Sequence, residues 1–345
     1  MRVLYIGENS GNSRLRFLAM TRLGHDVTIV DPYRALPQGR LFGAWMFRTG
    51  SLGLAGYLRA YLRHQYRGQE YDVVYVENGE LLGRAAVEDL KRIARAVVNV
   101  NRDNPFVQRD GRRWRLFLQA LPAYDAFITT RASNVAQAQA AGARNVSRIQ
   151  SSADEIYHRP QPLNADEKAR YAADVVFVGT WMPERGPFMV ELVRRGVPLR
   201  IYGPRWRKAP EYRELKPFLS DETFLGAREY AKAISGAKIA LALLSEGNED
   251  LHTTRSFEIP AIGAVLMAQR TSEHLEMYRE DEEAVFWSDA AECAEKCLDL
   301  LARPNDLRRI AEAGRSRVIA NRGFHEDNCV QILDLATAFA RAGGD

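Results

Sequence analysis

Cysteine is scarce. Cys293, Cys297 and Cys329 are the only three in 345 residues, and all lie late in the chain. No second pair or histidine cluster accompanies them, so neither a disulfide framework nor a zinc site is expected. They read as reduced thiols of a cytoplasmic protein. No apolar run reaches the ~18 residues needed to span a bilayer, and the N-terminus enters a strand pattern, MRVLYIG, without a signal-peptide profile. The net charge is only +4, too small for a field that gathers polyanions. No recognised module accompanies the basic residues, so nucleic acid is not an expected partner. The turn GENSGNSRLR (7–16) carries Gly7 and Gly11 but lacks the third glycine of G-x-G-x-x-G, which argues against a nicotinamide dinucleotide.

What the chain does have is alternation. Apolar β-branched runs at 2–7, 26–32, 72–78, 96–101, 126–131 and 145–151 are separated by helix-patterned segments. A polar stretch with two prolines, YHRPQPLNADEKARYAA (157–173), reads as a linker. The alternation then restarts at 174–180, 199–204, 238–244, 264–270 and 284–289, and the pattern is helical from about Ala290. Continuous apolar strands between helices imply parallel sheets covered on both faces. The fold class is therefore α/β, with two doubly wound Rossmann-like domains, 1–156 and 157–324. Ligands of such sheets bind beyond the carboxyl ends of the strands, so the polar residues there are the candidates.

In the first half these ends carry Glu8, Ser13 and Arg16 after strand one, Glu77 and Glu80 after strand three, and Asp103 and Asn104 after strand four. Asp103 precedes Asn104-Pro105, an extended turn. Its carboxylate can serve as a base or merely cap its own backbone. In the second half, GTWMPERG (179–186) brings Gly179, Thr180 and Arg185 to a helix start, where amides and a guanidinium fork suit a phosphate. GPRW (203–206) repeats the theme with Gly203, expected to permit close approach of a ligand, and Arg205. The stretch LHTTRSFEIPAIGAVLMAQR (251–270) offers Thr253 or Thr254 as an N-cap. Arg255 and Glu258 follow within one turn, and Asp250 stands eight positions before Glu258. An Arg at a helix entrance suits a diphosphate and a carboxylate suits a ribose diol; an internal Arg255–Glu258 salt bridge is the alternative. Pro260 predicts a short or kinked helix.

These motifs resemble the CgeB-type (spore-maturation-like) glycosyltransferases, relatives of the large retaining nucleotide-sugar family. The resemblance rests on VVFVGTWMPER, LRIYGPRW, TTRSFEIPAIGAVLMA, EEAVFWSD and RRIAEAGRSRV, in that order, and more loosely on LYIG, LGHDVTIVD, YDVVYVENGELL and NRDNPF. It implies a GT-B fold of two facing domains, the second holding a nucleotide sugar, with the last helix, 325–345, packing back on the first. It implies that Glu258 is the second acid of an E-x7-E pattern and binds the ribose hydroxyls. Asp250 stands for the first acid, although it is Asp rather than Glu, and Arg185 and Arg255 hold the diphosphate. No D-x-D motif occurs, so neither a metal nor another cofactor is expected. The alternatives are a GT-B-like sugar-nucleotide epimerase or a non-catalytic scaffold.

On the acceptor side the candidates are Ser13, Arg16, Glu77 and Asn104, with Asp103 and then Glu8 as the catalytic acids. The acceptor is expected to be a glycan, a lipid-linked sugar or a protein. The segment from Arg40 to Arg67 has five Arg and no acid, interleaved with aromatics, and RRWRLFLQALP (112–122) repeats that character. Both suit contact with an anionic membrane surface, with Arg59 and Arg63 as the facing cations; solvated amphipathic helices are the alternative.

Overall fold

The β-branched runs become parallel strands because each is apolar on both faces and needs helices above and below it. The computed structural model describes residues 1–37 and 39–342, the side chains of Arg40, Arg341 and Ala342 excepted; the end of the expected helix 325–345 lies outside them. The chain divides into two units: 1–150 with 247–249 and the final helix, and 151–246 with 250–324. The first boundary falls at 150/151, six residues before the expected 156/157.

The first unit holds β1 (Arg2–Ile6), β2 (Asp26–Val30), β3 (Tyr71–Glu77), β4 (Ala94–Asn101), β5 (Ala126–Thr129) and β6 (Val146–Arg148). All are parallel, in the order β2-β1-β3-β4-β5-β6. Leu4, Ile6, Val74 and Val76 face one core with Leu58, Leu62 and Leu90. Val3, Tyr5, Val73 and Tyr75 face the other, closed by Ile332, Leu333 and Ala336 of the last helix, His325–Ala342. The topological switch lies between β1 and β3, where their carboxyl ends part.

The second unit holds β7 (Ala173–Val178), β8 (Leu199–Tyr202), β9 (Ala237–Ala242), β10 (Val265–Gln269) and β11 (Val285–Trp287), in the order β11-β10-β9-β7-β8. Its switch lies between β7 and β9. Val175, Phe177, Ile239 and Leu241 pack on Met189, Leu192, Cys293 and Cys297. The opposite face packs on Ile234, Phe257 and Ile262. All three cysteines are buried and form no disulfide. No helix among the described residues is long and apolar enough to cross a membrane.

The expected linker 157–173 is corrected: it contains a helix, Ala165–Tyr171. Asn164 caps it, accepting from Glu167 N–H at 2.9 Å, while Glu167 accepts from Asn164 N–H at 3.1 Å. This reciprocal capping box is written in the sequence as N-x-x-E and is masked there by the polar composition around it.

The helix Pro304–Ala320 fastens the helix Arg255–Ile262 to the second unit. At their contact a Cβ on Gly314 would lie 2.4 Å from the Glu283 carbonyl oxygen and 3.5 Å from Pro260. Glu283 is buried and accepts from Arg317 Nε at 2.9 Å and from Arg279 N–H at 2.9 Å. Burial pushes its carboxyl up, but the bonds from Arg317 and Arg279 outweigh that and hold it at about 2. A folded-state value below the unfolded ~4.3 stabilises the protein above that pH and is lost as pH falls towards 2. Glu283→Gln is therefore expected to lower the unfolding free energy at pH 7 by at least about 1 kcal/mol. It is also expected to flatten its decline between pH 4.5 and 2, read from urea melts across that range. An unchanged pH slope would contradict the assignment.

Candidate functional site

The second unit's switch point is built around a buried cation. Arg185 opens the helix Arg185–Arg194 after β7 and is 7% exposed. Its guanidinium donates to the carbonyls of Thr180 (2.9 Å), Leu243 (3.2 Å) and Leu244 (3.4 Å), the last two just past β9. It lies 5.6 Å from the centre of the Phe177 ring. Its Nε has no acceptor. No carboxylate comes within ion-pair distance among the described residues. Burial, and then the neighbouring Arg255, lower its pKa to about 10, with Glu184 and Asp250 acting weakly the other way. Carbonyl dipoles orient this charge without neutralising it, which leaves a positive field for an anion.

Arg255 adds a second cation. It is the first residue of the helix Arg255–Ile262 and donates from Nε to the Val178 carbonyl at 2.9 Å, at the end of β7. Glu258, one turn on, is 4% exposed. Burial and then the Glu258 carboxylate raise the Tyr230 phenol well above its ordinary value, against the pull of Arg255. Arg185, Arg255, Glu258 and Tyr230 thus share one electrostatic neighbourhood, and Asp250 acts on Arg185 within it. The expected N-cap is corrected. Neither threonine hydroxyl caps the helix: Thr254 is itself helical, and the Thr253 hydroxyl is buried without a partner. Ser256 instead accepts from the Thr253 N–H at 3.2 Å. The helix has eight residues and ends at Gly263, φ 101°, as Pro260 predicts.

Gly203 is required by the fold. Its φ is 135°, and a Cβ there would lie 2.1 Å from the Gly179 carbonyl oxygen. That carbonyl accepts from the Trp206 indole at 2.9 Å, and Gly179 N–H donates to Tyr202. Arg205 is exposed in a left-handed turn and does not line the cavity beside Arg185. A cavity of about 410 Å³ opens beside Arg185, lined also by Phe188, Leu244, Gln269, Trp287 and Ser288. The Phe188 and Trp287 rings lie 4.5 Å apart. Phe188, Gln269 and Trp287 escaped the sequence reading, although Gln269 and Trp287 stand at the ends of β10 and β11, where the rule of strand ends would have found them.

The first unit's switch point holds a second cavity, of about 280 Å³, lined by Glu8, Ser13, Arg16, Glu77, Glu80, Arg102, Asp103 and Arg113 among others. Here most charges face one of opposite sign, although the buried guanidinium of Arg102 makes no hydrogen bond among the described residues. Glu77 accepts from Arg16 (2.5 Å), Tyr75 (2.7 Å) and Tyr5 (3.0 Å), with Arg102 at 3.5 Å. Arg113 and Tyr33 both donate to Glu80. Ser13 meets the Tyr5 hydroxyl at 3.2 Å. Glu8 is exposed and accepts from Ser10 at 2.6 Å. The Asx turns after β4 are made by Asn101, accepting from Asp103 N–H at 2.9 Å, and by Asn104, accepting from Phe106 N–H at 3.2 Å. The Asp103 carboxylate is therefore not spent on its own backbone. It receives Asn248 Nδ2 at 3.4 Å, has Arg109 at 3.7 Å, and stays about a third exposed. Asn104 is fully buried. Arg102 and Arg113 are further lining residues that the sequence reading passed over.

Comparison with known proteins agrees with this architecture. Residues 185–327 match the family model described as glycosyl transferase-like. No curated protein matches the chain by sequence. Sucrose-phosphate synthase from Thermosynechococcus elongatus superposes with a TM-score of 0.74 at 14% identity, covering 99% of this chain and 100% of that one. Anabaena HepE in complex with UDP-glucose gives 0.64 at 12% identity, over 97% and 99% of the two chains. The trehalose 6-phosphate synthase of Burkholderia multivorans gives 0.63 at 12%, over 100% and 99%. The fold is GT-B, and the segment that carries Arg185, Arg255 and Glu258 is the glycosyl transferase-like one.

The uncompensated charge makes a direct prediction. Pyrophosphate should raise the melting temperature of the protein in a dose-dependent way, because an anion bound only by the folded state stabilises it by mass action. The double variant Arg185→Gln/Arg255→Gln should lose most of that rise, measured by thermal shift at fixed ionic strength. An equal rise in both proteins would place the anion elsewhere.

Proposed function

We propose that the chain, a glycosyltransferase by its second unit's family match and its GT-B fold, moves a sugar from a nucleoside diphosphate donor to a hydroxyl of a surface glycan, glycolipid or glycoprotein. In this reading it is of CgeB type, works in the cytoplasm and needs no metal ion. The carrying observation is Arg185, a buried guanidinium held by carbonyls alone. Arg185 and Arg255 take the diphosphate, and with the amide end of the Arg185 helix they offset the charge that develops on the leaving group. Glu258 accepts from the ribose hydroxyls. The cavity beside Phe188, Gln269 and Trp287 takes the nucleobase, with aromatic walls and one amide. The HepE complex with UDP-glucose supports a nucleotide sugar as the ligand class.

On the first unit Asp103 is the group that receives the acceptor proton. Glu77 is held by Arg16, Tyr5 and Tyr75 and Glu80 by Arg113 and Tyr33, so they hold the pocket's shape, whereas the Asp103 carboxylate remains partly open. Glu8 is the second candidate. A positioned base contributes roughly 10²–10⁴ in rate.

Four measurements test this. Glu258→Gln keeps the side-chain shape and removes its charge. It should weaken nucleotide binding by roughly 1.5–3 kcal/mol in calorimetry, and a folded variant of unchanged affinity would end the ribose role. Asp103→Asn should cut turnover at least a hundredfold with donor affinity nearly intact; a loss of only a few-fold shifts the base to Glu8. Turnover should persist in excess chelator, and activity that returns only with Mg²⁺ or Mn²⁺ would overturn metal independence. Product analysis with the donor alone separates transfer from epimerisation, which consumes no acceptor.

A further inference from the structure

One surface of the first unit is at odds with the rest of the protein. The helix Arg40–Thr49 turns Phe42 and Met46 towards the core. Leu41 and Trp45, four apart on another face, are 89% and 37% exposed, and Phe47 is 49% exposed. The turn that follows exposes 57% of Leu52, and the next helix, Ala55–Gln65, exposes 54% of Tyr57. Five large apolar side chains therefore stand in solvent within seventeen residues. A helix that buries one apolar side and exposes another has something else to meet.

The charge on this surface gives the partner's chemistry. Residues 40–69 contain no Asp or Glu. Many arginines elsewhere are tied to carboxylates, as Arg194 is to Glu214, Arg270 to Glu280 and Glu292, and Arg303 to Asp299 and Asp306, although Arg207 and Arg213, for example, are exposed without one among the described residues. The guanidinium groups of Arg48, Arg112 and Arg115 are exposed and make no ion pair or hydrogen bond among the described residues. They cluster at one place. Arg112 N–H donates to the Phe47 carbonyl at 3.0 Å, and a Cβ on Gly50 would touch the Arg112 carbonyl oxygen and Arg115 Cβ. Apolar side chains beside an unneutralised cationic rim match an interface with acidic headgroups above acyl chains.

The expected facing cations are corrected by the same structure. Arg59 and Arg63 both donate to Asp89, whose side chain is 3% exposed. They hold this helix to the helix Arg84–Leu90, so their charge is shared with a carboxylate although both side chains stay partly exposed.

We propose that this face docks the first unit on the surface of an anionic phospholipid bilayer, with Leu41, Trp45, Phe47 and Leu52 entering the interface and Arg48, Arg112 and Arg115 meeting the headgroups. Docking is independent of sugar transfer, and its measurement needs neither donor nor turnover. A cation near an acidic leaflet contributes roughly fivefold to partitioning, so three contribute on the order of a hundredfold.

The test is sedimentation of the full chain with vesicles of neutral phosphatidylcholine, alone or mixed with phosphatidylglycerol. Wild type should bind the mixed vesicles and not the neutral ones, with affinity falling as salt rises. The variant Arg48→Gln/Arg112→Gln/Arg115→Gln should lose on the order of a hundredfold in affinity. Leu41→Ser/Phe47→Ser should lose at least tenfold. Both should keep the wild-type melting temperature, since none of these side chains is buried. Three results would each overturn the proposal: no binding to mixed vesicles at low salt, equal binding to neutral vesicles, or affinity unmoved by the triple variant. Concentration-dependent self-association that Leu41→Ser abolishes would also overturn it, by assigning the face to a second copy of the chain.

Discussion

The chemistry of this protein depends on how a parallel sheet ends. At the carboxyl end of each strand the last carbonyls point outward without a partner, and the two strands at a switch point diverge, leaving a crevice between them. In the second unit the chain fills that crevice with the guanidinium of Arg185, which takes the carbonyls of Thr180, Leu243 and Leu244 at once. A planar fork with five donors can satisfy several carbonyls where an ammonium on a flexible stem would satisfy them less directionally. Carbonyls carry only partial charge, so the cation is hydrogen-bonded yet not neutralised. A buried cation of this kind costs stability, a cost that the proposed diphosphate would offset.

The first unit has the same strand order around its switch point and the opposite electrostatics. Arg16 and Arg102 flank Glu77, and Arg113 is closed on Glu80. Tyrosine hydroxyls from Tyr5, Tyr75 and Tyr33 complete both carboxylates. One topology thus yields two sites: a cationic one suited to a diphosphate, and a nearly self-neutralised polar one whose remaining carboxylates, Asp103 and Glu8, can act on a neutral hydroxyl. That contrast, rather than the shared fold, divides donor from acceptor in the proposed reaction.

The sheets were legible because their signal is redundant. A run such as VVYVE is apolar on both faces, and few arrangements other than a covered parallel strand accommodate it. Arg185, Arg255 and Glu258 were legible because motif position places them at strand ends and helix starts. The capping of the Arg255 helix was not, since Thr253, Thr254 and Ser256 are all competent by type and only backbone geometry selects Ser256. Arg59 and Arg63 were misassigned for a related reason. Helical spacing shows that they share a face, but it does not show that Asp89, some 30 residues on, lies against it. Gly203 was read as room for a ligand when the close neighbour is the Gly179 backbone, a contact between two loops that local sequence does not encode.

Pro260 shows how far such non-local answers reach into the site. Proline lacks the N–H that would bond the carbonyl four residues back, which here belongs to Ser256. That carbonyl is buried and cannot turn to water. The Tyr278 hydroxyl supplies the missing donor at 2.6 Å. The phenol comes from beyond β10, so the defect left in one element is filled by another. Ser256 meanwhile uses its side chain to hold the Thr253 N–H and the His274 ring. The short helix that presents Arg255 and Glu258 is therefore fixed at its entrance by Ser256 and in its middle by Tyr278, and it ends in a left-handed glycine. It needs no long hydrogen-bonded ladder to keep its first turn in place. Its first turn is also closed on its own backbone, Ser256 N–H bonding the Thr253 carbonyl and Phe257 and Glu258 N–H the Thr254 carbonyl, while Arg255 Nε ties it to the end of β7, so both local and distant contacts fix the position of Arg255 and Glu258.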